Sequence, residues 1–328
     1  MAGHAITPQA GREAVKLSAQ MTYAEASEHL RESHGVRIAK EPLERLTRTV
    51  GQYWIDQDRK VAVQAAESHQ AIAPQRSASQ CLIFADGVMV HTDGQWHEAR
   101  VGTVRIHNEA GKLEKSSIAR LCPLDEFGQD LWRKACQMGY SQAPVTAFIA
   151  DGSHWLWGLA QGRFSGAIQI VDFWHVCQHV SECSVAFFGE GTDATRQWSL
   201  EVCGNLRAGL VDEALQMVEK LPGRSQARRE AKHQLITYLT NNRERMDYPR
   251  YEKLGLPIGS GEVEAQCKTL VQARCKQAGM RWSSLGIEQL LRVRCAVRDE
   301  SYDGQFGRWN ENLVAWQARR QASHKKAA

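Results

Sequence analysis

The sequence lacks the features that define several classes of protein. No stretch approaches the roughly 18 uncharged apolar residues of a membrane-spanning helix, and the first residues, MAGHAITPQAGREAVK, lack the apolar core of a signal peptide. The nine cysteines form no C-x-x-C pair, which is typical of reduced cytosolic thiols and not of a disulfide framework or a zinc ribbon. We therefore expect a cytoplasmic protein with no membrane partner.

Charge of one sign is also scarce. The chain has 328 residues and a net charge of only +4 at pH 7, with 24% charged and 43% hydrophobic residues, which is an ordinary globular balance. A mild excess of base is weak support for a nucleic-acid partner, so the distribution of charge along the chain matters more than its sum. The length allows one large domain or two ordinary ones.

The N-terminal region has the outline of two helices joined by a short turn. Thr22 and Glu25 form a capping-box pattern, and Gly35 can end the first helix. This outline is typical of a helix-turn-helix DNA-binding segment, in which Arg45 and Arg48 would lie on the polar side, and equally of a plain helical hairpin. The preceding residues carry few apolar anchors and predict a loose lead-in.

Several β-rich runs of the sequence end in an aspartate. Asp86, Asp151 and Asp172 each follow such a run, and residues 96–107 and 117–121 add two more strand-like stretches. Because helical patterns separate some of these runs, we expect an α/β fold with carboxylates at the carboxyl ends of its strands. Open α/β sheets bind ligands at that edge.

Residues 174–250 contain no β-like run, which predicts an all-helical block inserted into the sheet domain. Gly-Ser-Gly at 259–261 then precedes a helix that starts near Glu262. The predicted segments are a helix-turn-helix-like segment at 1–55, a linker at 56–79, a first part of the sheet domain at 80–175, the helical insertion at 176–255, a second part of the sheet domain at 256–300, and a C-terminal helix with a basic tail at 301–328.

Asp86 and Asp151 are the first candidates for chemistry. Each follows an apolar strand and precedes a glycine, and two strand-end carboxylates on neighbouring strands can share a hard cation. For either residue alone a β-turn is the simpler interpretation, but the repetition favours a metal site. A pair of ions about 3.5–4 Å apart needs a third acid. Glu262 and Glu264 begin a helix whose Gly-Ser-Gly entry permits close approach to a sheet.

Four stretches of the chain carry a specific combination of motifs. They are Phe84–Met89, Ile149–Trp157, Val171–His179 and Ile258–Lys268, the last followed by Arg274 and by Gly279–Trp282. In their order and spacing, these stretches resemble the ISKra-type insertion-sequence transposases of the Mutator-like DDE superfamily. The resemblance extends from about Thr7 to Trp316, which is most of the chain.

This resemblance implies an RNase H-like mixed sheet interrupted by the helical insertion, with Asp86, Asp151 and Glu264 as catalytic acids. The enzyme would use two Mg²⁺ (or Mn²⁺) ions to cleave and transfer DNA strands. Its partners would be the terminal inverted repeats, target DNA and further copies of the chain on that DNA, at the nucleoid. Glu262 stands where the family usually has a small or apolar residue and takes second place.

The Asp172/His175 pair matches a family motif of an acid or cysteine followed two residues later by histidine. Asp172, His175 and His179 share one helix face, but without a second ligand cluster a zinc site is disfavoured. We expect His175 to donate a hydrogen bond to a scissile phosphate or to a leaving 3′-oxygen. His179 equally suits a structural role.

Basic residues cluster after Glu264, with no acid between residues 265 and 287. They are Lys268, Arg274, Lys276 and Arg281. Such a run is usually a solvated helix face, but beside a site that handles phosphodiesters it favours contact with a DNA backbone. Three tryptophans are candidates for stacking on an extruded base or for the core; they are Trp155, Trp157 and Trp282.

Two alternatives remain open for the function. One is a metal-dependent nuclease on the same core, which cleaves DNA but joins no strands. The other is a truncated, catalytically inactive remnant that only binds DNA, because family members usually carry a longer N-terminal region with a cysteine-bearing segment. A glycosidase with two carboxylates is disfavoured, since a basic flank suits an anionic polymer better.

Overall fold

The computed structural model describes residues 6–68, 72–108 and 110–327, and the side chains of residues 64–68 and 315–327 are outside the description. The strands are β1 (Gln80–Thr92), β2 (Gln95–His107), β3 (Leu113–Arg120), β4 (Val145–Ala150) and β5 (Ile168–Val171). The helices are α1 (Pro8–Gln20), α2 (Tyr23–His34), α3 (Lys40–Ser68), α4 (Leu124–Gln137), α5 (His154–Arg163), α6 (Phe173–Phe188), α7 (Asp193–Arg207), α8 (Val211–Glu219), α9 (Gln226–Asn242), α10 (Tyr248–Lys253), α11 (Gly261–Gln266), α12 (Ala273–Cys275), α13 (Ser284–Arg298) and α14 (Tyr302–Ala327), with a 3₁₀ turn at Arg243–Arg245 and a π-helical turn at Cys267–Gln272.

The five strands form one mixed sheet in the order β3-β2-β1-β4-β5. β2 is antiparallel to both of its neighbours, whereas β1, β4 and β5 run parallel to one another. Residues 81–85 of β1 are all buried, because this strand is central and helices cover both faces of the sheet. The predicted α/β class with a mixed sheet is therefore confirmed.

The two faces of the sheet are covered by helices from different parts of the chain. α4 packs on one face, where Gly102 of β2 leaves room for Leu131: a Cβ at Gly102 would lie 2.7 Å from the Leu131 Cδ1 atom. α11 packs on the other face, against β1 and β2, where Glu262 pairs with Arg105, and α13 contacts the edge strand β3. This second face is the one that receives the helix with Glu264.

Residues 173–253 are helical, apart from short connections, as predicted for the insertion. The insertion is tied back to the sheet through two tyrosines after α9. The Tyr248 hydroxyl donates to the carbonyl of Val171 (3.2 Å), and the Tyr251 hydroxyl donates to that of Gln169 (3.3 Å). Among the described helices, none is both long enough and apolar enough to cross a bilayer.

Two predicted N-terminal helices are present. The Thr22 hydroxyl accepts the N–H of Glu25 (3.2 Å), while the Glu25 carboxylate accepts the N–H of Thr22 (2.9 Å), so the capping box is confirmed. Gly35 ends α2 with a φ of +64°, a left-handed conformation that glycine adopts without strain. Whether α2 and α3 bind DNA stays a prediction.

The expected loose lead-in is wrong for residues 8–20, which form α1 with Thr7 as its N-cap. Val15 of α1 is buried together with Val50 and Trp54 of α3, Val293 of α13 and residues of α14. The apolar side chains of α1 are small and few, so the burial of this helix depends on α13 and α14 at the far end of the chain. The expected boundary between residues 55 and 56 falls inside α3, whereas the last helix begins at Tyr302, within the predicted segment 301–328.

The packing of α3 on α13 requires a glycine at position 51. A Cβ at Gly51 would lie 2.2 Å from the carbonyl oxygen of Gln289, and backbone cannot move aside as a side chain can. Gly51→Ala is therefore expected to lower the free energy of unfolding by about 1–3 kcal/mol, measured by urea denaturation. As a control, Gly158→Ala at an exposed position of α5 meets no atom within 4 Å and should leave stability unchanged or raise it by up to about 1 kcal/mol. Equal stability of the two variants would contradict this account.

Candidate active site

Asp86 lies in the middle of β1, and Asp151 directly follows β4, the adjacent parallel strand. The expectation that each acid ends a strand is therefore correct for Asp151 and wrong for Asp86, because pairing with β2 continues β1 to Thr92. The last paired residues of β1 and β4 are Phe84 and Ile149, so continuing the register by two residues sets Asp86 opposite Asp151. Because side chains alternate between the faces of a strand, both aspartates belong to the face of Phe84 and Ile149. The sequence-based expectation that these two acids neighbour each other is thus met by the backbone.

Glu264 approaches the same point from α11. The helix packs on β1 and β2, and Glu264 is exposed while Asp86 is half-buried. The pKa of Asp86 is raised above its usual value, mainly because burial penalises the carboxylate and also because the negative charges of Asp151 and Glu264 repel it. A hydrogen bond from Gly87 partly opposes this rise. The charges of Asp151 and Glu264 thus both act on the Asp86 carboxyl.

The local hydrogen bonds of the two aspartates hold them in place. The N–H of Gly87 donates to Asp86 Oδ1 (2.7 Å), and the thiol of Cys267 donates weakly to Asp86 Oδ2 (3.5 Å). Asp151 accepts the N–H (2.8 Å) and the hydroxyl (3.1 Å) of Ser153. Each carboxylate is thus oriented by two hydrogen bonds and retains capacity for a further ligand.

Tyr238 of the insertion fixes the backbone at Asp151. Its hydroxyl donates to the Asp151 carbonyl (2.7 Å), and burial raises the pKa of this hydroxyl, with the charge of Asp151 adding to the effect. Gly152 has a φ of +105°, and a Cβ there would lie 2.9 Å from the Tyr238 ring. Glycine after Asp151 is therefore required both by backbone conformation and by the close approach of α9.

The donor set of the site suits a hard divalent cation. Carboxylate oxygens are the ligands that Mg²⁺ and Mn²⁺ prefer, and a cation among Asp86, Asp151 and Glu264 would relieve the repulsion that raises the pKa of Asp86. Within residues 6–68, 72–108 and 110–327, no group of three or more His, Cys, Asp or Glu side chains already stands at ligand spacing. Metal binding by the three acids would therefore require their carboxylates to move closer together.

A π-helical turn follows Glu264, and the sequence pattern did not predict it. It spans Cys267–Gln272 and contacts β1. Such turns are rare and occur frequently at functional sites. Burial raises the pKa of the Cys267 thiol, and the charges of Asp86 and Glu264 add to the rise, so Cys267 stays a neutral hydrogen-bond donor. Its position three residues after Glu264, on the same helix face, was the available sequence signal.

Asp172 is buried and does not face a free space. Its carboxylate caps α6 by accepting the N–H groups of Trp174 (2.6 Å) and His175 (3.2 Å). His175 is half-buried, with its ring centroid 4.8 Å from that of His179. Burial, with a contribution from His175, lowers the pKa of His179, and its ring packs against Tyr238 at 4.1 Å. Both histidines thus lie beside Tyr238, whose hydroxyl bonds the Asp151 carbonyl.

Glu262 is engaged away from the acids. Its carboxylate pairs with Arg105 of β2 (3.0 Å) and with Lys115 of β3 (3.7 Å). Glu264, two residues later, is not part of these ion pairs. The two glutamates of α11 therefore have different surroundings, in line with the second place given to Glu262.

The basic residues that are predicted to bind DNA differ in their exposure to solvent. Four are at the surface: Lys268, Lys276, Arg281 and Arg45 are exposed, while Arg48 is half-buried and bonds Gln289 of α13 (2.9 Å). Arg274 is only 1% exposed. Its guanidinium lies 5.1 Å from the ring centroids of both Tyr23 and Trp282. The expected phosphate contact of Arg274 is therefore wrong, because aromatic rings cover the group.

The tryptophans proposed for base stacking are largely used in packing. Trp157 is buried and donates to Asn242 (2.8 Å), while Trp155 and Trp282 are half-buried. Two other tryptophans are exposed, Trp96 (61%) and Trp174 (63%). No local pattern singles these two out, because exposure of a tryptophan depends on which neighbours reach it in the fold.

No protein-family model matches this chain, and no curated protein is significantly similar to it.

Proposed function

We propose that this chain is a DDE transposase, a metal-dependent enzyme that cleaves and transfers DNA strands at insertion-sequence ends. The observation that carries the proposal is the register of the sheet: Asp86 of β1 lies opposite Asp151, which follows the adjacent parallel strand β4, and the helix that carries Glu264 packs on β1 and β2. Oxygen-only acidic sites of this kind suit two-metal phosphoryl transfer.

The topology supports an RNase H-like core. The sheet order β3-β2-β1-β4-β5 with only β2 reversed is the arrangement such a core requires, and the two aspartates stand at β1 and directly after β4. The helical insertion lies between Asp151 and Glu264, as the resemblance to ISKra-type transposases implies. These features are compatible with the proposal independently of the motifs.

In this proposal Asp86, Asp151 and Glu264 hold the two divalent ions. When bound, such ions lower the pKa of an attacking water and stabilise the leaving 3′-oxygen of a phosphodiester. Ser153 and Tyr238 keep Asp151 in its orientation, and Cys267 keeps a neutral donor on Asp86. The chain itself thus contributes positioning and charge compensation, and no covalent enzyme intermediate is needed.

His175 is placed to assist on the DNA side of the site. It is the third residue of α6, in the first turn after the capping residue Asp172, close to the end of β5, which pairs with β4. A ring N–H from this position can donate a hydrogen bond to a phosphate oxygen or to the leaving 3′-oxygen. Its ring is only half-buried, which leaves part of it accessible to a ligand.

The exposed basic residues after Glu264 are proposed to bind the DNA backbone. Replacing Lys268, Lys276 and Arg281 together by alanine is expected to weaken duplex binding without affecting stability, and to lower the salt dependence of log K by about 0.9 for each phosphate that is no longer neutralised. Fluorescence anisotropy over a salt series measures both effects. Arg196→Ala, which removes an exposed base of the insertion, is the matched control. An unchanged salt slope in the triple variant would contradict this DNA-binding surface.

The decisive test of the function is a product assay. The purified chain is incubated with Mg²⁺ or Mn²⁺, a duplex carrying the sequence that flanks its coding region, and a target plasmid. A transposase yields nicked ends and then joined strands. Hydrolysis without joining would replace the proposal by a nuclease, and binding without cleavage in either metal would replace it by an inactive DNA-binding remnant.

A further inference from the structure

The carboxylate of Asp172 connects two elements that are distant in the sequence. Asp172 is 1% exposed. One oxygen, Oδ1, caps α6 by accepting the N–H groups of Trp174 and His175. The other, Oδ2, accepts the N–H of Ser260 (2.7 Å) and also its hydroxyl hydrogen. With four hydrogen bonds from the chain itself, this acid has no capacity left for a metal ligand.

The same loop is held against the start of α6 at two further points. The N–H of Phe173 donates to the carbonyl of Ile258 (2.8 Å). A Cβ at Gly259 would lie 2.9 Å from Cδ1 of Trp174, so the loop backbone rests directly on that indole. The Gly-Ser-Gly segment, flexible in the unfolded chain, is thus fixed by contacts with the residues that follow β5.

The other side of α11 is anchored to the sheet. Glu262 pairs with Arg105 of β2 and Lys115 of β3, one and two strands away from β1. Ser260, before α11, is therefore held by Asp172, and Glu262, within α11, is held by Arg105. Glu264 lies two residues after Glu262. Catalytic groups must be held to within about 0.5 Å of their working positions, and a six-residue helix entered through two glycines cannot achieve this unaided.

We propose that Asp172 and Ser260 form a clamp that positions the Glu264 helix against Asp86 and Asp151, and that the Arg105–Glu262 pair is its second anchor. The inference rests on the proposed function in taking Glu264 as a metal ligand. The proposal gives the acid of the Asp-x-x-His motif a positioning role, in which Asp172 sets the position of Glu264. The histidine of the motif, His175, would donate a hydrogen bond to the DNA.

The test compares full-length wild type with Asp172→Asn and Ser260→Ala by hydrogen exchange. Asparagine keeps the size of Asp172 but replaces an acceptor by an amide N–H, so it cannot satisfy both α6 and Ser260. We expect amides of residues 260–266 to exchange about 10-fold faster or more, the scale for lost hydrogen bonds to a charged group, with β4 unchanged. Ser260→Ala, which keeps the α6 cap, should show a smaller effect in the same segment.

Thr192→Ala is the matched control, because Thr192 caps α7 of the same insertion without touching the loop. It should speed exchange at the start of α7 only. Unchanged exchange of residues 260–266 in Asp172→Asn overturns the clamp. This readout does not depend on catalysis, so it separates the clamp from the proposed function.

The activity readout is the Mn²⁺ dependence of DNA cleavage. With Glu264 misplaced, Asp172→Asn should need about 10-fold more Mn²⁺ or more for half-maximal rate, with a smaller loss of rate at saturation, whereas Glu264→Gln should stay inactive at every concentration. If Asp172→Asn were equally inactive throughout with wild-type exchange, Asp172 would act in the chemistry and the positioning role would be wrong. If exchange changed as expected but the wild type cleaved no DNA in Mn²⁺, the proposed function would fail and not the clamp.

Discussion

Replacing Asp151 by asparagine is expected to lower the rate of metal-dependent DNA cleavage by roughly 10³-fold or more, because carboxylates that hold ions together act as a unit. The substitution should leave the fold intact. Asparagine at this position can still accept the N–H of Ser153, and the Tyr238 hydroxyl bonds the backbone carbonyl and not the carboxylate. Single-turnover cleavage at saturating Mg²⁺ measures the effect.

A surface aspartate supplies the control for this prediction. The side chain of Asp193 is 96% exposed and pairs with Arg196, one turn along α7. Asp193→Asn should cleave at the wild-type rate, since an exposed ion pair contributes little even to stability. Cleavage by Asp151→Asn within a few fold of wild type would remove Asp151 from the catalytic site and, with it, the proposed function.

Replacing Asp86 by asparagine is expected to raise the stability of the metal-free chain and to abolish the stabilisation by Mg²⁺. In EDTA at pH 7 the variant should be more stable than wild type by about 1 kcal/mol, as is common when a destabilised active-site group is replaced. With Mg²⁺ at about 100 times its dissociation constant, wild type should gain about 2.7 kcal/mol, and the variant should gain none. Thermal unfolding with and without Mg²⁺ measures both.

The pH dependence follows from the direction of the pKa shift. The pKa of Asp86 in the folded chain is raised above its ordinary value of 3.8, chiefly by burial. The protonated carboxyl therefore stabilises the fold at low pH, and this contribution is lost as the pH rises through the folded pKa. Asparagine resembles the protonated form. The advantage of Asp86→Asn in EDTA should thus shrink as the pH is lowered toward 3.8.

Asp93, in the turn between β1 and β2, is the matched control, because its pKa is shifted in the opposite direction to that of Asp86. The pKa of Asp93 is lowered, mainly by hydrogen bonds from Ser284, whose N–H donates to the Asp93 carboxylate (2.8 Å). Its ionised form therefore stabilises the fold, and Asp93→Asn should not stabilise the chain in EDTA. A destabilised Asp86→Asn variant at pH 7, or one that Mg²⁺ still stabilises, would contradict the site.

Much of the candidate site follows from local patterns. Apolar runs that end in Asp-Gly predict strand termini, because side-chain alternation and turn chemistry act over a few residues. The capping box at Thr22 and the helical block after Asp172 are local in the same sense. These patterns correctly place Asp151 directly after β4, whereas the strand end expected at Asp86 is wrong, because pairing with β2 continues β1 to Thr92.

Other features depend on residues far apart in the chain. Arginine is a residue type usually found at the surface. Arg274 is nevertheless enclosed by Trp282 and by Tyr23 from the N-terminal helices. α1 is buried only because α13 and α14 return to cover it. No window of neighbouring residues contains such information, since a side chain's exposure is set by what packs against it.

The position of Glu264 belongs to this second kind. Its sequence context shows a flexible entry and a helix, which allow many placements. The ties of Ser260 to Asp172 and of Glu262 to Arg105 select one of them. Local chemistry therefore specifies many strands and helices and the acids that they carry, whereas the packing of the Glu264 helix on β1 and β2 follows from long-range hydrogen bonds and contacts that form only in the folded chain.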